Sequence, residues 1–142
     1  MKTSQRGIDL IKESEGCKLR AYYCPAGVLT IGYGHTGRGV QSGMTISQEQ
    51  ADDFLRHDLA TCESFINAAC LSLMQGEYDA LVSFAFNLGI ASLERSTLWR
   101  KVKAGDMAGA AAEFPLWVHG DGKVLPGLVT RRNAEAALFK GD

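Results

Sequence analysis

Apolar positions recur along this chain with two different periods, and the change between them divides it. Ile8, Leu10 and Ile11 mark one side of a short segment that opens at Ser4, a good helix N-cap, and stops at Gly16. From Ser47 onward the helical period returns, with Phe54, Leu55, Leu59, Cys62, Phe65 and Ile66 on one stripe to about Asn67. Ser47-Gln48-Glu49-Gln50 reads as a capping box, because Gln50 can reach back to the amide of the cap residue. Between 73 and 88 the chain is apolar on nearly every side (Tyr78, Ala80, Leu81, Val82, Phe84, Ala85, Phe86, Leu88), which predicts a helix in the middle of a core, ended by Gly89. Further helices are predicted near 96–103, closed by Gly105; near 107–114, stopped by Pro115; and over about 128–139. In the last, Arg131, Arg132 and Glu135 lie opposite Ala134, Leu138 and Phe139, which reads as a charged outer face.

Between 18 and 44 the character differs. Glycines at 27, 32, 34, 37, 39 and 43 interrupt Tyr22, Tyr23, Val28, Thr30, Ile31, Tyr33 and Val40. Aromatic and β-branched residues broken by glycine predict short strands, and this is the one strand-like stretch in the pattern. The expected layout is a single, mainly helical α+β domain over 1–142. It comprises a small β lobe at about 17–46, a connecting helix at about 48–67, and a helical lobe of about 1–16 plus 68–142. No repeat, low-complexity tract or long linker divides the chain further.

Composition narrows the classes of function. A chain of 142 residues, 46% hydrophobic and 22% charged, has the size and make-up of one domain with its own core. Its formal charge of −1 argues against a nucleic-acid binder, whose partner would select a basic surface. No apolar run approaches the roughly 20 residues that span a bilayer. The opening residues lead into the amphipathic pattern and not into a signal-peptide core, so no stable membrane insertion and no export address are expected. Cys17, Cys24, Cys62 and Cys70 fit no zinc-ligand spacing. No metal, no cofactor and reduced thiols are expected.

The candidate chemistry lies at the end of the first helix and in the glycine-rich stretch. Glu15 directly precedes the helix-ending glycine; Cys24, Thr30 and the segment Thr30-Ile31-Gly32-Tyr33-Gly34-His35-Thr36 follow. Glycine alternating through a strand lets a ligand approach the backbone closely. Each residue alone also has an ordinary reading. Glu15 could be a solvated helix end, Cys24 a small buried hydrophobe, Thr30 a strand former, His35 a structural hydrogen-bonding group, and Arg131 and Arg132 surface charges.

Their combination is specific. Glu15-Gly16, then Cys24 after eight intervening residues, then Thr30 after five more and Thr30-Ile31-Gly32-Tyr33-Gly34-His35, closely resembles the phage-type lysozymes of glycoside hydrolase family 24. The likeness continues through Ser42-Gly43-Met44-Thr45-Ile46-Ser47, Gln75-Gly76-Glu77-Tyr78-Asp79-Ala80-Leu81, Phe86-Asn87-Leu88-Gly89, Trp117, Gly122-Lys123 and Gly127-Leu128-Val129-Thr130-Arg131-Arg132-Asn133-Ala134-Glu135.

That resemblance implies a lysozyme-like fold with a cleft between the lobes, and hydrolysis of the β-1,4 bond between N-acetylmuramic acid and N-acetylglucosamine in peptidoglycan. It implies a monomeric endolysin that accumulates in the host cytoplasm and reaches the wall through a separate membrane pore. Glu15, the sole carboxylate of the motif, becomes the general acid, with Cys24 and Thr30 positioning or activating the attacking water in an inverting reaction. Many family members carry Asp where Cys24 stands. The thiol can orient water, act as a thiolate base, act as a nucleophile with retention, or be closed off in a bridge with Cys17. Tyr33 and His35 are implied as supporting residues of the small lobe, and Arg131 as the arginine that accompanies the glutamate. A catalytically impaired peptidoglycan-binding module on the same fold is the alternative, prompted by the missing second carboxylate.

Overall fold

The computed structural model describes all residues from 1 to 142 and shows a chain 57% helical with small two-stranded sheets. It forms two compact units, Lys12–Thr61 and a unit built from Met1–Ile11 with Cys62–Asp142.

In the first unit, helix α1 (Gln5–Glu15) ends where Gly16 takes φ +70°, a left-handed conformation that glycine adopts without steric cost. Strands β1 (Lys18–Tyr23) and β2 (Leu29–Gly32) then pair antiparallel, with Lys18 opposite Gly32, Tyr22 opposite Thr30 and Tyr23 opposite Leu29. Four steps along β1 span only two along β2, so the ladder is bulged between Lys18 and Tyr22. The bulged residues turn instead to a second partner: Ala21 N–H donates to Met44 O at 2.8 Å, and Ile46 N–H to Leu19 O at 2.9 Å. Ile31, Tyr33, Val40 and Ile46 are buried with Ala51, Leu55 and Leu59 of helix α2 (Gln48–Ala68). The expected capping box opens α2. Gln50 N–H donates to Ser47 Oγ at 3.1 Å, and Ser47 N–H donates to Gln50 Oε1 at 2.9 Å.

The second unit is built around helix α3 (Gln75–Leu88), in which Tyr78 through Ala85 are all buried. A helix apolar on every side can satisfy that pattern only inside a core. Phe84 meets Phe114 and Trp117 edge-on, with ring centroids 5.8 and 5.4 Å apart, and Phe114 meets Phe139 at 5.4 Å. Burying each of Phe84, Phe114 and Phe139 contributes roughly 1.5–3 kcal/mol relative to exposure. The N-terminal segment is fastened here too: Ser4 N–H donates to Asp79 Oδ1 at 3.0 Å, and its hydroxyl to Asp79 Oδ2.

Several boundaries differ from expectation. Helix α4 (Ile90–Arg95) follows Gly89 directly, and its six residues are too few for a visible period. Helix α5 (Thr97–Lys103) has Ser96 as its N-cap, accepting from Trp99 N–H at 3.0 Å. Helix α6 (Met107–Ala111) stops short of Phe114, and Pro115 lies inside a 3-10 turn at Phe114–Leu116, where its missing N–H costs nothing. A second hairpin, β3 (His119–Gly120) with β4 (Lys123–Val124), corrects the reading of a single strand-like stretch. Its two-residue strands are too short to show alternation. Helix α7 (Pro126–Phe139) begins at its proline, where the ring's fixed φ suits a first turn.

The largest correction concerns α7. Arg131, Arg132 and Glu135 are 5, 0 and 0% exposed, so the face read as outer is an inner one. Arg132 Nε lies 2.9 Å and Arg131 Nε 3.4 Å from the Glu135 carboxylate, which also accepts from the Ser83 hydroxyl, while Arg132 Nη2 donates to Asn87 Oδ1 at 2.5 Å. Burial holds the Glu135 carboxyl above the usual carboxylate range, against the opposing pull of Arg132, the Ser83 hydroxyl and Arg131. Removing the anion would strand buried cations. Glu135→Gln is therefore expected to lower unfolding free energy by about 3–5 kcal/mol in urea denaturation. A loss under about 1 kcal/mol, the range of exposed pairs, would contradict this account.

Candidate active site

Five of the six residues singled out in the sequence fall within the unit Lys12–Thr61, and the backbone positions each of them. Glu15 is the last residue of α1 and is half-buried. Its Oε1 sits 3.7 Å from where a side chain on Gly34 would begin, which makes Gly34 its neighbour at ordinary contact distance. Gly34 also takes φ +83°, which disfavours any other residue.

Cys24 opens the reversal between β1 and β2. Its N–H donates to Val28 O at 2.9 Å, and Gly27 N–H donates back to Cys24 O at 2.8 Å, with Gly27 at φ +79°. The main-chain N–H groups of Val28 and then Ala26, with the Thr30 hydroxyl, hold the Cys24 thiol below its ordinary value against a smaller opposing effect of burial. Thr30 is 4% exposed and donates its hydroxyl proton to Val28 O at 2.8 Å. A hydroxyl has one proton, so in this geometry Thr30 offers its lone pairs to a Cys24 S–H or to water. If Cys24 ionises, the hydroxyl can swing to donate to sulfur.

Tyr33 is buried, and its phenol oxygen accepts from Gln48 Nε2 at 2.9 Å. Gln48 also reaches Asp52 at 2.9 Å, Asp52 pairs with Lys12 Nζ at 3.0 Å, and that ammonium lies 5.6 Å from the centre of the Tyr33 ring. The Lys12 contact, helped by Gln48, holds the Asp52 carboxyl below the usual carboxylate range. His35 is held through its backbone, its ring face and Nδ1. It exchanges two backbone bonds with Ile31 (2.9 and 2.8 Å), stacks on Phe54 at 4.2 Å, and pairs through Nδ1 with Asp58 Oδ2 at 2.8 Å. Phe54 and Asp58 are one turn apart on α2, so one helix face supplies both contacts.

Arg131 belongs to the other unit. Its Nε and Nη2 donate to Ser83 Oγ and Ser83 O, each at 3.3 Å, beside Glu135. None of the four cysteines is in a disulfide, and Cys17 Sγ lies 3.9 Å from Gln48 Oε1. The sequence did not mark Lys12, Gln48, Asp52, Phe54 or Asp58 as residues of the site. The available signal was spacing: Lys12 precedes Glu15 by three residues, and Gln48/Asp52 and Phe54/Asp58 are four apart.

A helix that ends at Glu15, a hairpin with a thiol at its turn and a hydroxyl on its second strand, and a histidine anchoring the following loop make up the candidate site. The phage lysozyme family profile matches residues 12–135. An endolysin of Acyrthosiphon pisum secondary endosymbiont phage 1 is 46% identical over 145 residues, covering 99% of both chains. Among solved structures, the muramidase domain of SpmX from Asticaccaulis excentricus superposes with a TM-score of 0.90, at 38% identity over 97% of each chain. An endolysin from Escherichia coli O157:H7 phage FAHEc1 superposes with a TM-score of 0.88, at 36% identity over 98% of this chain and 93% of that one. The chain belongs to the phage lysozyme family and is a lysozyme glycosidase.

The Lys12–Asp52 pair gives a test of the local electrostatics. A carboxyl whose folded pKa is depressed stabilises the fold above its unfolded value, near 4, and loses that contribution as pH falls through the folded value. Asp52→Asn should therefore unfold more readily than wild type at pH 6, with the difference shrinking below about pH 4. Paired urea titrations at pH 6 and pH 3 measure this, and an equal difference at both would refute it.

Proposed function

We propose that this chain is an endolysin that cleaves the β-1,4 bond between N-acetylmuramic acid and N-acetylglucosamine in peptidoglycan, with Glu15, Cys24 and Thr30 in the catalytic roles. The observation that carries the assignment of roles is the hairpin turn. A thiol whose anion is favoured by two backbone N–H groups sits there beside the buried Thr30 hydroxyl, whose lone pairs can accept a hydrogen bond from water. Two groups of that kind suit the capture of a nucleophilic water.

The reaction follows from the protons each group can hold. Glu15, protonated, gives its proton to the leaving glycosidic oxygen as the bond to the anomeric carbon breaks. Water held by Thr30 attacks the opposite face of the sugar and yields its proton to Cys24, as thiolate. The products are an inverted sugar, a free hydroxyl, a Glu15 carboxylate and a Cys24 thiol. Proton exchange with solvent resets both groups. Tyr33 and His35, held by Gln48, Phe54 and Asp58 of α2, support this arrangement without touching the reacting atoms, and Arg131 supports the helical unit. The enzyme acts on the host wall after release through a pore made by another protein. No helix of this chain is long and apolar enough to cross a membrane.

Clearing of permeabilised Gram-negative cells tests the roles. Glu15→Gln is expected to lose about 10²–10⁴-fold in rate, the usual worth of a positioned general acid. Cys24→Asp should keep activity and move the ascending limb of the pH profile toward acid, because a carboxylate ionises well below a thiol. Cys24→Ser should lose that limb; a wild-type rate in Cys24→Ser would show that sulfur only holds water. Proton NMR of the first-formed anomer should show inversion, and a retained product would make Cys24 the nucleophile. Folded protein that pellets with walls but clears none would establish the binding-module alternative.

A further inference from the structure

The hairpin that carries Cys24 and Thr30 has a second property that the hydrolytic roles leave unused. No Asp, Glu, Lys or Arg occurs from residue 21 to residue 37, in a chain that is 22% charged. Burial explains the gap at Thr30, Ile31 and Tyr33, but not on the rest of the hairpin, where Tyr22 is 37%, Val28 47% and Tyr23 66% exposed. Large uncharged side chains grouped in water beside a candidate active site mark a binding surface more readily than a packing one.

Strand register sorts these side chains by face. Directly opposed residues of an antiparallel pair share a face, and successive residues alternate. Tyr22 is opposed to Thr30 and Tyr23 to Leu29. Tyr22 therefore stands on the Thr30 side, as does Val28 two residues before Thr30, and this is the side on which Thr30 meets the Cys24 thiol. Tyr23 stands on the other.

We propose that Tyr22 and Val28 form a platform for one N-acetylhexosamine ring of the glycan strand, next to the position where Cys24 and Thr30 hold water. The inference rests on the hydrolytic reading of those two residues and adds the sugar-binding position beside them. A pyranose presents an apolar C–H face and a polar rim. Tyr22 matches it with an apolar ring and a phenol at its edge, and Val28 offers a surface for an acetamido methyl. A charged side chain here would lose its hydration under the sugar without gaining a partner, which accounts for the uncharged stretch. A bilayer surface also accepts exposed tyrosine, but continuity with Cys24 and Thr30 favours the glycan.

Initial clearing rates measured against the concentration of purified peptidoglycan test the platform. Tyr22→Ala is expected to raise KM about fivefold to tenfold with a smaller change in kcat, Tyr22→Phe to keep most of the affinity, and Tyr23→Ala to change neither. The same substitutions in a Glu15→Gln background, read by pelleting with purified walls, should rank identically, with thermal unfolding confirming that each variant is folded. The proposal is overturned if Tyr22→Ala matches wild type in both assays, or if Tyr23→Ala costs as much as Tyr22→Ala. It is also overturned if Tyr22→Ala abolishes pelleting with phosphatidylglycerol vesicles while wall pelleting persists. Absence of clearing by wild type would defeat the hydrolytic reading alone, since pelleting still decides whether Tyr22 binds glycan.

Discussion

Two arginines and a glutamate inside the helical unit impose the condition that its architecture must meet. Each buried ion gives up several kcal/mol of hydration, which only close, well-oriented partners return. Helix α7 places Arg131, Arg132 and Glu135 within about one turn, and α3 supplies Ser83 and Asn87, four residues apart on one face. The polar cluster thereby fixes how α3 and α7 meet. Apolar packing between two helices tolerates sliding by part of a turn; a carboxylate that must reach one hydroxyl and two guanidiniums does not. Gly76 extends the same fit at the start of α3, since any side chain there would collide with the Leu138 carbonyl.

The unit Lys12–Thr61 solves a different problem. A two-stranded hairpin is marginal alone, and β1 and β2 are short. It is held from two directions: residues 44–46 pair with the bulged part of β1, and His35, bonded to the Ile31 backbone, is clamped by Phe54 and Asp58 of α2. The histidine thus links the end of the hairpin to a helix, next to the Gly34 that faces Glu15. Loss of that clamp would disturb Gly34, and with it the carboxyl, although His35 touches no reacting atom in the proposed mechanism.

What the sequence disclosed and what it hid separate along physical lines. Ser47 and Gln50, Gly16 and Gly89 act through local bonds and dihedrals, so their helix boundaries were legible. The long apolar run of α3 could only be a core helix. The short elements, α4 and the β3–β4 hairpin, are fixed by tertiary context and left no period to read. The charged face of α7 misled for a stronger reason. Binary patterning assigns charge to the outside, and nothing local shows that Ser83 and Asn87 wait on another helix to satisfy it. For the candidate site, motif spacing exposed Glu15, Cys24 and Thr30. The supporting Lys12–Asp52–Gln48–Tyr33 network depends on how α1, α2 and the Tyr33 loop meet, which no single segment contains.

A thiol at position 24 makes the chemistry of this turn depend on its backbone. A carboxylate is ionised at neutral pH almost wherever it is solvated, whereas a thiol, ordinarily titrating near 8.5, needs help. Here the help comes from the N–H groups of Val28 and Ala26, which the left-handed Gly27 turns into the reversal. Pro25 beside them has no N–H to offer. The arrangement leaves the hairpin neutral whenever the thiol holds its proton, so an uncharged sugar meets an uncharged surface, and negative charge arises only in the fraction that is ready to take a proton from water. On the proposed mechanism, exchanging a carboxylate for this thiol therefore limits how often the enzyme is poised to react and leaves its hold on the glycan intact. The burden falls on kcat rather than KM, and the turn geometry sets its size.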